Sequence, residues 1–171
     1  YHENHFKIDV WKDACIQSCA AVDRELKFTR NVDCFNSGTT GLALIRQGDN
    51  IVIANVGDSR AVLGTVSDEG KLMAIQLTTD LKPDLPEEEK RIMQSNGRVF
   101  FLGDEPGVHR VWRPDSDSPG LAMSRAFGDY CVKEYGVISL PEITHRRITC
   151  GDKFIILATD GVSVQPYANI H

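Results

Sequence analysis

The sequence predicts an α+β protein in which short antiparallel strands are layered with helices. Segments rich in β-branched residues alternate with turn signals, a pattern typical of an antiparallel meander. One of them, Ile51–Ala54, does not alternate with polar residues, so we expect that strand to be covered on both faces, as in a layered sandwich. The predicted strands are Thr39–Arg46, Ile51–Val56, Arg60–Val66 and Leu72–Leu77.

A first helix is predicted before the strands, from Asp9 to about Leu26, because apolar residues recur there every three or four positions. Asp9 is the expected N-cap, since its side chain can accept hydrogen bonds from the first free N–H groups. Cys15 and Cys19 lie four residues apart in this helix. Without a second pair of ligands nearby, we interpret them as small core residues rather than metal ligands.

A second helix is predicted from about Glu87 to Gln94, with Pro86 in its first turn and Gly97 after its end. Three glutamates in its first turn could suggest a metal site, but acidic residues at that position already stabilise the helix dipole. Pairing with Lys90 or Arg91 needs no metal either. We therefore expect the glutamates to form a solvated face.

Residues 103–120 contain three prolines and scattered charge, so we expect an irregular loop, a candidate functional flap. A basic and aromatic group lies inside it: His109, Arg110, Trp112 and Arg113. Such a group on a loop could meet an acidic substrate, and local packing with solvation is an equally weighted alternative. We assign it no catalytic role.

The composition of the chain excludes several classes of function. The chain has 171 residues, of which 42% are hydrophobic, which is enough for a core of one domain or a large piece of one. A net charge of −5 offers no basic surface for nucleic acid. The apolar runs are too short to cross a membrane, and the polar start lacks a signal-peptide pattern. Five cysteines without a Cys-x-x-Cys pair indicate reduced thiols, hence an intracellular protein of the cytoplasm or nucleus.

Two apolar strands each deliver an aspartate into a turn that contains glycine. The first reads Ile51–Asp58 and the second Phe154–Gly161, so Asp58 and Asp160 are both placed at sheet ends. A carboxylate held by rigid strand backbone is suited to a hard divalent cation. Read separately, each motif is more often an ordinary turn.

Six segments, in this order along the chain, resemble the metal-dependent serine/threonine phosphatases of the protein phosphatase 2C (PP2C) family. In their details they are most similar to the plant members. The segments are Asn36–Gly41, Asn55–Leu63, Leu81–Pro83, Gly97–Val99, Leu121–Asp129 and Ala158–Gly161.

The resemblance implies the PP2C fold, an α-β-β-α sandwich of two antiparallel sheets flanked by helices, in a partial domain spanning 1–171. It also implies two Mg²⁺ or Mn²⁺ ions whose bridging water attacks a phosphoserine or phosphothreonine. Asp160 matches the aspartate that binds the metal centre, and Asp58 matches a peripheral aspartate implicated in a further metal. Asp129 matches a motif position without an assigned ligand role, so we expect it to hydrogen-bond in a turn. The region of about 81–120 corresponds to a flap beside the active site.

The chain departs from the family pattern at both ends. Neither the early Glu-Asp pair nor the Asp-Gly-His-Gly-Gly motif, which supply other metal ligands and a histidine acid, is found in the sequence. His2 and His5 lie outside any such motif and do not inherit that role. The tail, residues 163–171, diverges, and the late Asp-Asn motif is missing. We expect a domain incomplete at both ends, and we assign no catalytic or substrate-binding residue.

The sequence is compatible with three hypotheses. In the first, the chain is part of a phosphatase that acts on phosphoserine and phosphothreonine proteins as a monomer. In the second, it is a catalytically inactive, truncated relative that binds or regulates phosphoproteins or phosphatases. In the third, it is an unrelated scaffold whose Asp58 and Asp160 are turn residues, and their carboxylates then lie far apart.

Overall fold

The computed structural model describes residues 7–162, which form three helices and eleven strands. The helices are α1 (Ile8–Phe28), α2 (Pro86–Gln94) and α3 (Tyr130–Lys133). The first strands are β1 (Gly38–Thr39), β2 (Gly41–Gln47), β3 (Asn50–Val56), β4 (Arg60–Val66) and β5 (Leu72–Gln76). The later strands are β6 (Arg98–Phe100), β7 (Arg110–Arg113), β8 (Ser116–Leu121), β9 (Phe127–Gly128), β10 (Glu142–Arg147) and β11 (Asp152–Ala158).

Two three-stranded antiparallel sheets form the body of the protein, in the strand orders β10-β3-β2 and β11-β4-β5. A third sheet, β6-β7-β8, lies in the region of about 81–120 for which a flap is predicted (the flap region), and β1 pairs with β9. The predicted α+β class with antiparallel sheets is confirmed. All four predicted strands exist, with bounds within two residues of those expected.

The predicted meander was wrong, because β3 and β4 belong to different sheets. The chain leaves β3 at Val56, passes through Gly57 and Asp58, and enters the second sheet at Arg60. Gly57 has a φ of +98°, a conformation that side-chain-bearing residues rarely adopt. This turn redirects the chain from one layer to the other instead of closing a hairpin.

Strand β3 is buried on both faces, as predicted from its continuous apolar run. Val52 and Ala54 pack with Cys15 of α1, while Ile51 and Ile53 pack with Ala61 of the second sheet. Successive side chains of a strand point to opposite faces, so one strand supplies both layers of the core. This explains why the segment does not alternate with polar residues.

Helix α1 covers the β10-β3-β2 sheet, but its N-terminus differs from the prediction. The N-cap is Lys7, with no side-chain cap hydrogen bond, and Asp9 lies inside the first turn, where its negative charge balances the positive helix end. Cys15 is buried in the core, as expected, and is a free thiol, as are the other cysteines. No helix within residues 7–162 is both long and apolar enough to cross a membrane.

The second sheet leaves apolar side chains exposed on the face turned away from the first sheet. Leu72, Phe154 and Ile156 are about half exposed or more, at 64%, 49% and 49%. The register places Phe154 opposite Gly64 and Ile156 opposite Val62, on the face opposite the buried Leu63. None of the described helices covers this face, so the sandwich has an outer helical layer on one side among residues 7–162.

Residues 103–120 are not the irregular loop that was predicted. They contain β7 and most of β8, which pair antiparallel, and β7 also pairs with β6. Trp112 is buried, stacks on Phe100 with ring centroids 5.0 Å apart, and donates from Nε1 to the Phe100 carbonyl at 2.9 Å. Gly120 lies under this ring, where a Cβ would meet Trp112 at 2.4 Å. The three prolines led to the prediction of a loop, but the region contains a small, well-packed sheet.

Helix α2 begins at Pro86, as predicted, but its glutamates do not all form a solvated face. Glu88 is 3% exposed. Its carboxylate accepts two hydrogen bonds from Arg91 at 2.8 Å and two from Arg125 at 2.9 and 2.6 Å, and it also accepts one from Ser124. Glu87 and Glu89 are exposed, as expected. The buried glutamate ties α2 to the segment before β9.

The charge on Glu88 is maintained despite its burial. Burial by itself would raise its pKa, but hydrogen bonds from Arg125, Arg91 and Ser124 outweigh burial and lower the pKa to about 2. A carboxyl whose folded-state pKa is lowered stabilises the fold above its unfolded-state pKa, and the benefit is lost as the pH falls toward the folded-state value. The Glu88 contribution is therefore complete at neutral pH and disappears between about pH 4.5 and pH 2.

We expect Glu88→Gln to lower the free energy of unfolding by about 3 kcal/mol at pH 7, because it leaves two partly buried guanidinium groups without their counter-charge. Urea denaturation followed by circular dichroism measures the difference. Between about pH 4.5 and pH 2 the difference from the native protein should shrink, because the native carboxyl then takes up its proton.

Glu89→Gln is the matched control, since Glu89 is in the same helical turn but exposed. It should change the stability by less than about 0.5 kcal/mol. Equal effects of the two substitutions would show that the charge of the first turn matters rather than the buried network.

Candidate functional site

The two predicted aspartates lie at one end of the second sheet. Strand β4 begins at Arg60, which pairs with Ala158 near the end of β11. Because the strands are antiparallel, Asp58 before β4 and Asp160 after β11 lie at the same end. They line one cavity of about 250 Å³. Its lining residues are Asp58, Arg60, Asp80, Lys82, Ala158, Thr159, Asp160 and Val162.

The turn that carries Asp58 is fixed by its neighbours. Asn55 is buried, and its Nδ2 donates to the Gly57 carbonyl at 3.2 Å and to the Thr79 carbonyl at 2.9 Å. The hydroxyls of Ser59 and Thr40 are 2.7 Å apart and hydrogen-bonded. The two hydrogen bonds of Asn55 explain why a polar residue lies in a buried strand, because they join the Asp58 turn to the segment that contains Thr79.

Asp58 forms an ion pair with Lys82. The Asp58 side chain is 8% exposed and that of Lys82 is 40% exposed, so a largely buried carboxylate is paired with a partly exposed lysine. A buried carboxylate needs such a partner, because removing an unpaired charge from water is costly. Asp58 therefore reaches the cavity with its charge already balanced.

Arg60 and Asp80 form a second ion pair in the same cavity. Arg60 donates from Nε to Asp80 Oδ1 at 3.0 Å and from Nη2 to Oδ2, a two-pronged contact. Gln76 Nε2 is 3.3 Å from the same Asp80 Oδ1 atom. The forked geometry of a guanidinium matches a carboxylate and orients both groups.

The segment that supplies Asp80 and Lys82 is held against the Asp58 turn by its backbone. The Leu81 N–H donates to the Gly57 carbonyl at 3.1 Å, and the Ala61 N–H donates to Thr78 Oγ1 at 3.0 Å. The Leu81 carbonyl accepts from the Ser124 N–H at 2.8 Å, and the Ser124 hydroxyl, whose one proton is shared with Glu88, lies 2.8 Å from the same carbonyl. The lysine is thus presented by a fixed loop.

Sequence reasoning found Asp58 and Asp160 but missed the three other charged residues of the cavity. Arg60 and Lys82 fall inside the segments that resemble the family, so the sequence marked both positions. The resemblance did not imply a role for either residue. Asp80 precedes one of those segments directly and gave no signal of its own. Its partner is twenty residues away, and only the paired sheet brings the two together.

Asp129 is not among the residues lining this cavity. It has a positive φ of +51° in the turn before α3 and is buried, and its side chain makes no cap hydrogen bond to that helix. Burial raises the pKa of its carboxyl, and nearby Lys133 acts in the opposite direction. Asp129 therefore lies in a turn, as predicted, and hydrogen-bonds there through its backbone: its N–H donates to the Ser37 carbonyl at 2.9 Å and its carbonyl accepts from the Val132 N–H at 3.0 Å.

The basic and aromatic group of the flap region is largely engaged in local contacts. Arg110 pairs with Glu105 at 2.6 Å, and Arg113 pairs with Asp115 at 3.2 Å. His109 Nδ1 lies 3.5 Å from Asp84 Oδ2. These contacts favour local packing over an acidic-substrate site.

The described residues do not fit a two-metal centre. No group of three or more His, Cys, Asp or Glu side chains that could hold a metal ion is present within residues 7–162. Two of the three cavity carboxylates, those of Asp58 and Asp80, are already paired with cations. Asp160 is exposed and has no ion pair with another described residue, so it can offer one ligand. His2, His5 and the divergent tail lie outside the described residues.

Comparison with known proteins identifies the family of the chain. The family model described as "Protein phosphatase 2C" matches residues 3–163. "Probable protein phosphatase 2C 34" from Arabidopsis thaliana is 67% identical over 90% of this chain and 43% of its own length. "Probable protein phosphatase 2C 48" from Oryza sativa subsp. japonica is 64% identical over 90% of this chain and 45% of its own length.

A solved structure shares the fold. The serine-threonine phosphatase 2C of Toxoplasma gondii superposes with a TM-score of 0.81 at 28% identity, covering 90% of this chain and 51% of that one. The predicted PP2C-like sandwich is therefore confirmed, and an unrelated scaffold is ruled out. The chain belongs to the protein phosphatase 2C family. It spans less than half the length of the curated relatives it matches.

We expect Gly57→Ala to destabilise the protein by about 2–5 kcal/mol, because an added Cβ requires a strained positive φ and meets Thr40 Cγ2 at 2.5 Å. The measurement is the midpoint and slope of urea denaturation. The loss should come with a disturbed Asp58 turn, since Gly57 also accepts hydrogen bonds from Asn55 and Leu81.

Gly161→Ala is the control at the other Asp-Gly step. Gly161 has no positive φ, and within residues 7–162 its added Cβ meets only Thr159 Oγ1, at an ordinary distance of 3.6 Å. A change within about 0.5 kcal/mol is expected. An equally mild effect of Gly57→Ala would show that the positive φ and close contact of Gly57 do not constrain the fold.

Proposed function

We propose that the protein hydrolyses phosphoserine and phosphothreonine in other proteins by means of a water activated by Mg²⁺ or Mn²⁺, and that Asp160 contributes one ligand. Membership of the protein phosphatase 2C family supports the reaction class. The observation that carries the role of Asp160 is its position: it is exposed, lies two residues after the end of β11, and lines the same cavity as Asp58.

The residues of this chain would prepare the site rather than complete it. Strand β11 places the Asp160 carboxylate, and the Asp58 turn with the Lys82 segment forms the facing wall. A bound divalent ion would supply an activated water and positive charge to stabilise the phosphoryl group as it passes from the serine or threonine oxygen to that water. The remaining ligands have to come from residues outside 7–162, because the described residues hold too few free carboxylates.

The proposal also covers the partners, the oligomeric state and the cellular location of the protein. The partners would be phosphoserine and phosphothreonine proteins, and the protein would act as a monomer. All five cysteines are free thiols, which supports an intracellular location in the cytoplasm or nucleus.

Asp160→Asn in the full-length protein should lower the Mn²⁺-dependent release of phosphate from a phosphothreonine peptide by at least about 100-fold, since a neutral amide is a poor ligand for a hard cation. A malachite-green assay with and without Mn²⁺ measures the release. The thermal midpoint should stay close to that of the native protein, because Asp160 is exposed.

Asp68→Asn is the matched control, because Asp68 is an exposed turn residue outside the cavity. It should release phosphate at the native rate. Full activity of Asp160→Asn would exclude Asp160 as a ligand, and absence of metal-dependent release by the native protein would exclude the phosphatase proposal.

A second candidate is a non-catalytic relative that binds phosphoproteins or phosphatases. The observation that favours it is the pairing of Asp58 with Lys82, together with the lack of a three-ligand cluster within residues 7–162. Calorimetric titration of the full-length protein with Mn²⁺ separates the candidates. Tight binding of two ions contradicts the non-catalytic candidate, whereas its absence supports that candidate.

A further inference from the structure

The cavity at the end of β4 and β11 contains two aspartates in opposite electrostatic states. Asp58 is almost fully buried and paired with Lys82. Asp160 is exposed and unpaired among the described residues. The family resemblance treats both as sites for a divalent ion, so the difference between them calls for a physical explanation.

The backbone of Lys82 is held in place by the residues before and after it. The preceding Leu81 is bonded to Gly57 through its N–H and to Ser124 through its carbonyl, and the following Pro83 is buried. Leu81 therefore anchors the lysine to the same turn that carries Asp58. A fixed backbone on both partners reduces the entropy cost of the ion pair, which distinguishes it from a pair between two flexible surface chains.

The neighbouring charges leave Lys82 as the cation available to Asp58. Arg60, the other cation lining the cavity, already makes a two-pronged contact with Asp80. Lys82 contacts one oxygen of the Asp58 carboxylate, Oδ2, so a divalent ion that used both oxygens would have to displace the ammonium group, and an ion on Oδ1 alone would remain beside it. Such an ion would lie within a few ångströms of the ammonium group, where like charges repel strongly.

We propose that Lys82 is the resident cation of Asp58 and limits access of divalent ions to that carboxylate. A divalent ion uses Asp58 only when the lysine side chain, 40% exposed, swings toward solvent. Asp160 accepts an ion without such a displacement. This inference rests on the proposed function only in treating the cavity as a place for divalent ions, and it concerns binding rather than hydrolysis.

The test counts Mn²⁺ bound to the full-length protein by electron paramagnetic resonance, which reports the free ion and needs no substrate. Lys82→Met should add one bound Mn²⁺, or tighten the weakest one by about tenfold or more. Lys82→Arg, which keeps the positive charge, should behave like the native protein. A protein that binds as expected but hydrolyses nothing refutes the proposed function and leaves this inference standing.

Two double variants separate a specific effect on Asp58 from a change in net charge. Lys82→Met with Asp58→Asn and Lys82→Met with Asp84→Asn have the same net charge, but only the second retains the Asp58 carboxylate. The added ion should be lost in the first and kept in the second. If both double variants keep it, or if both lose it, Asp58 is not the site that Lys82 controls.

Lys71→Met is the control for removing a lysine elsewhere, because Lys71 pairs with Glu69 at 3.0 Å on the exposed β4-β5 turn. It should leave the Mn²⁺ count unchanged. Lys82→Gln serves as a second variant if Lys82→Met melts early, and circular dichroism confirms folding in each case. An unchanged Mn²⁺ count and affinity in the folded Lys82 variants overturns the proposal.

Discussion

The hydrogen bonding between the Asp58 turn and the segment after β5 is the constraint on which the site depends. Gly57 sends the chain from one sheet to the other, and its carbonyl accepts from both Asn55 and Leu81. Two ion pairs, Asp58 with Lys82 and Arg60 with Asp80, connect the same two segments. The crossing between layers and the charged wall of the cavity are therefore one structure, in which backbone and side chains secure each other.

A second buried network extends this constraint toward the flap region. Ser124 bonds to the Leu81 carbonyl, and its hydroxyl also lies against Glu88, which holds Arg91 and Arg125. The charge of Glu88 is compensated from two sides, so a helix, a loop and the approach to β9 are joined at one carboxylate. Because such a network is destabilised by removal of any one member, it fixes the relative positions of its elements.

The sequence predicted local structure better than it predicted contacts between residues that are far apart in the chain. The bounds of β3 and β4 were accurate because β-branched runs and turn residues are local signals. The crossing between sheets was missed, since a Gly-Asp turn looks the same whether it closes a hairpin or changes layer. Glu88 was taken for a solvated residue because one of its main partners, Arg125, is 37 residues away. Likewise, the family resemblance located Asp58 and Asp160 but could not show which of them is paired.

Two strands that end in the same sequence pattern thus produce different chemistry. After β3, the aspartate is buried and meets a lysine carried by a fixed loop, so its charge is balanced within the fold. After β11, the aspartate is exposed at the edge of the same cavity, and its oxygens are available to a ligand. The difference arises from the groups that surround each strand end in space rather than from the neighbouring residues in the sequence. If the cavity takes divalent ions, as we propose, Asp160 can bind one without first losing a charged partner, whereas Asp58 cannot.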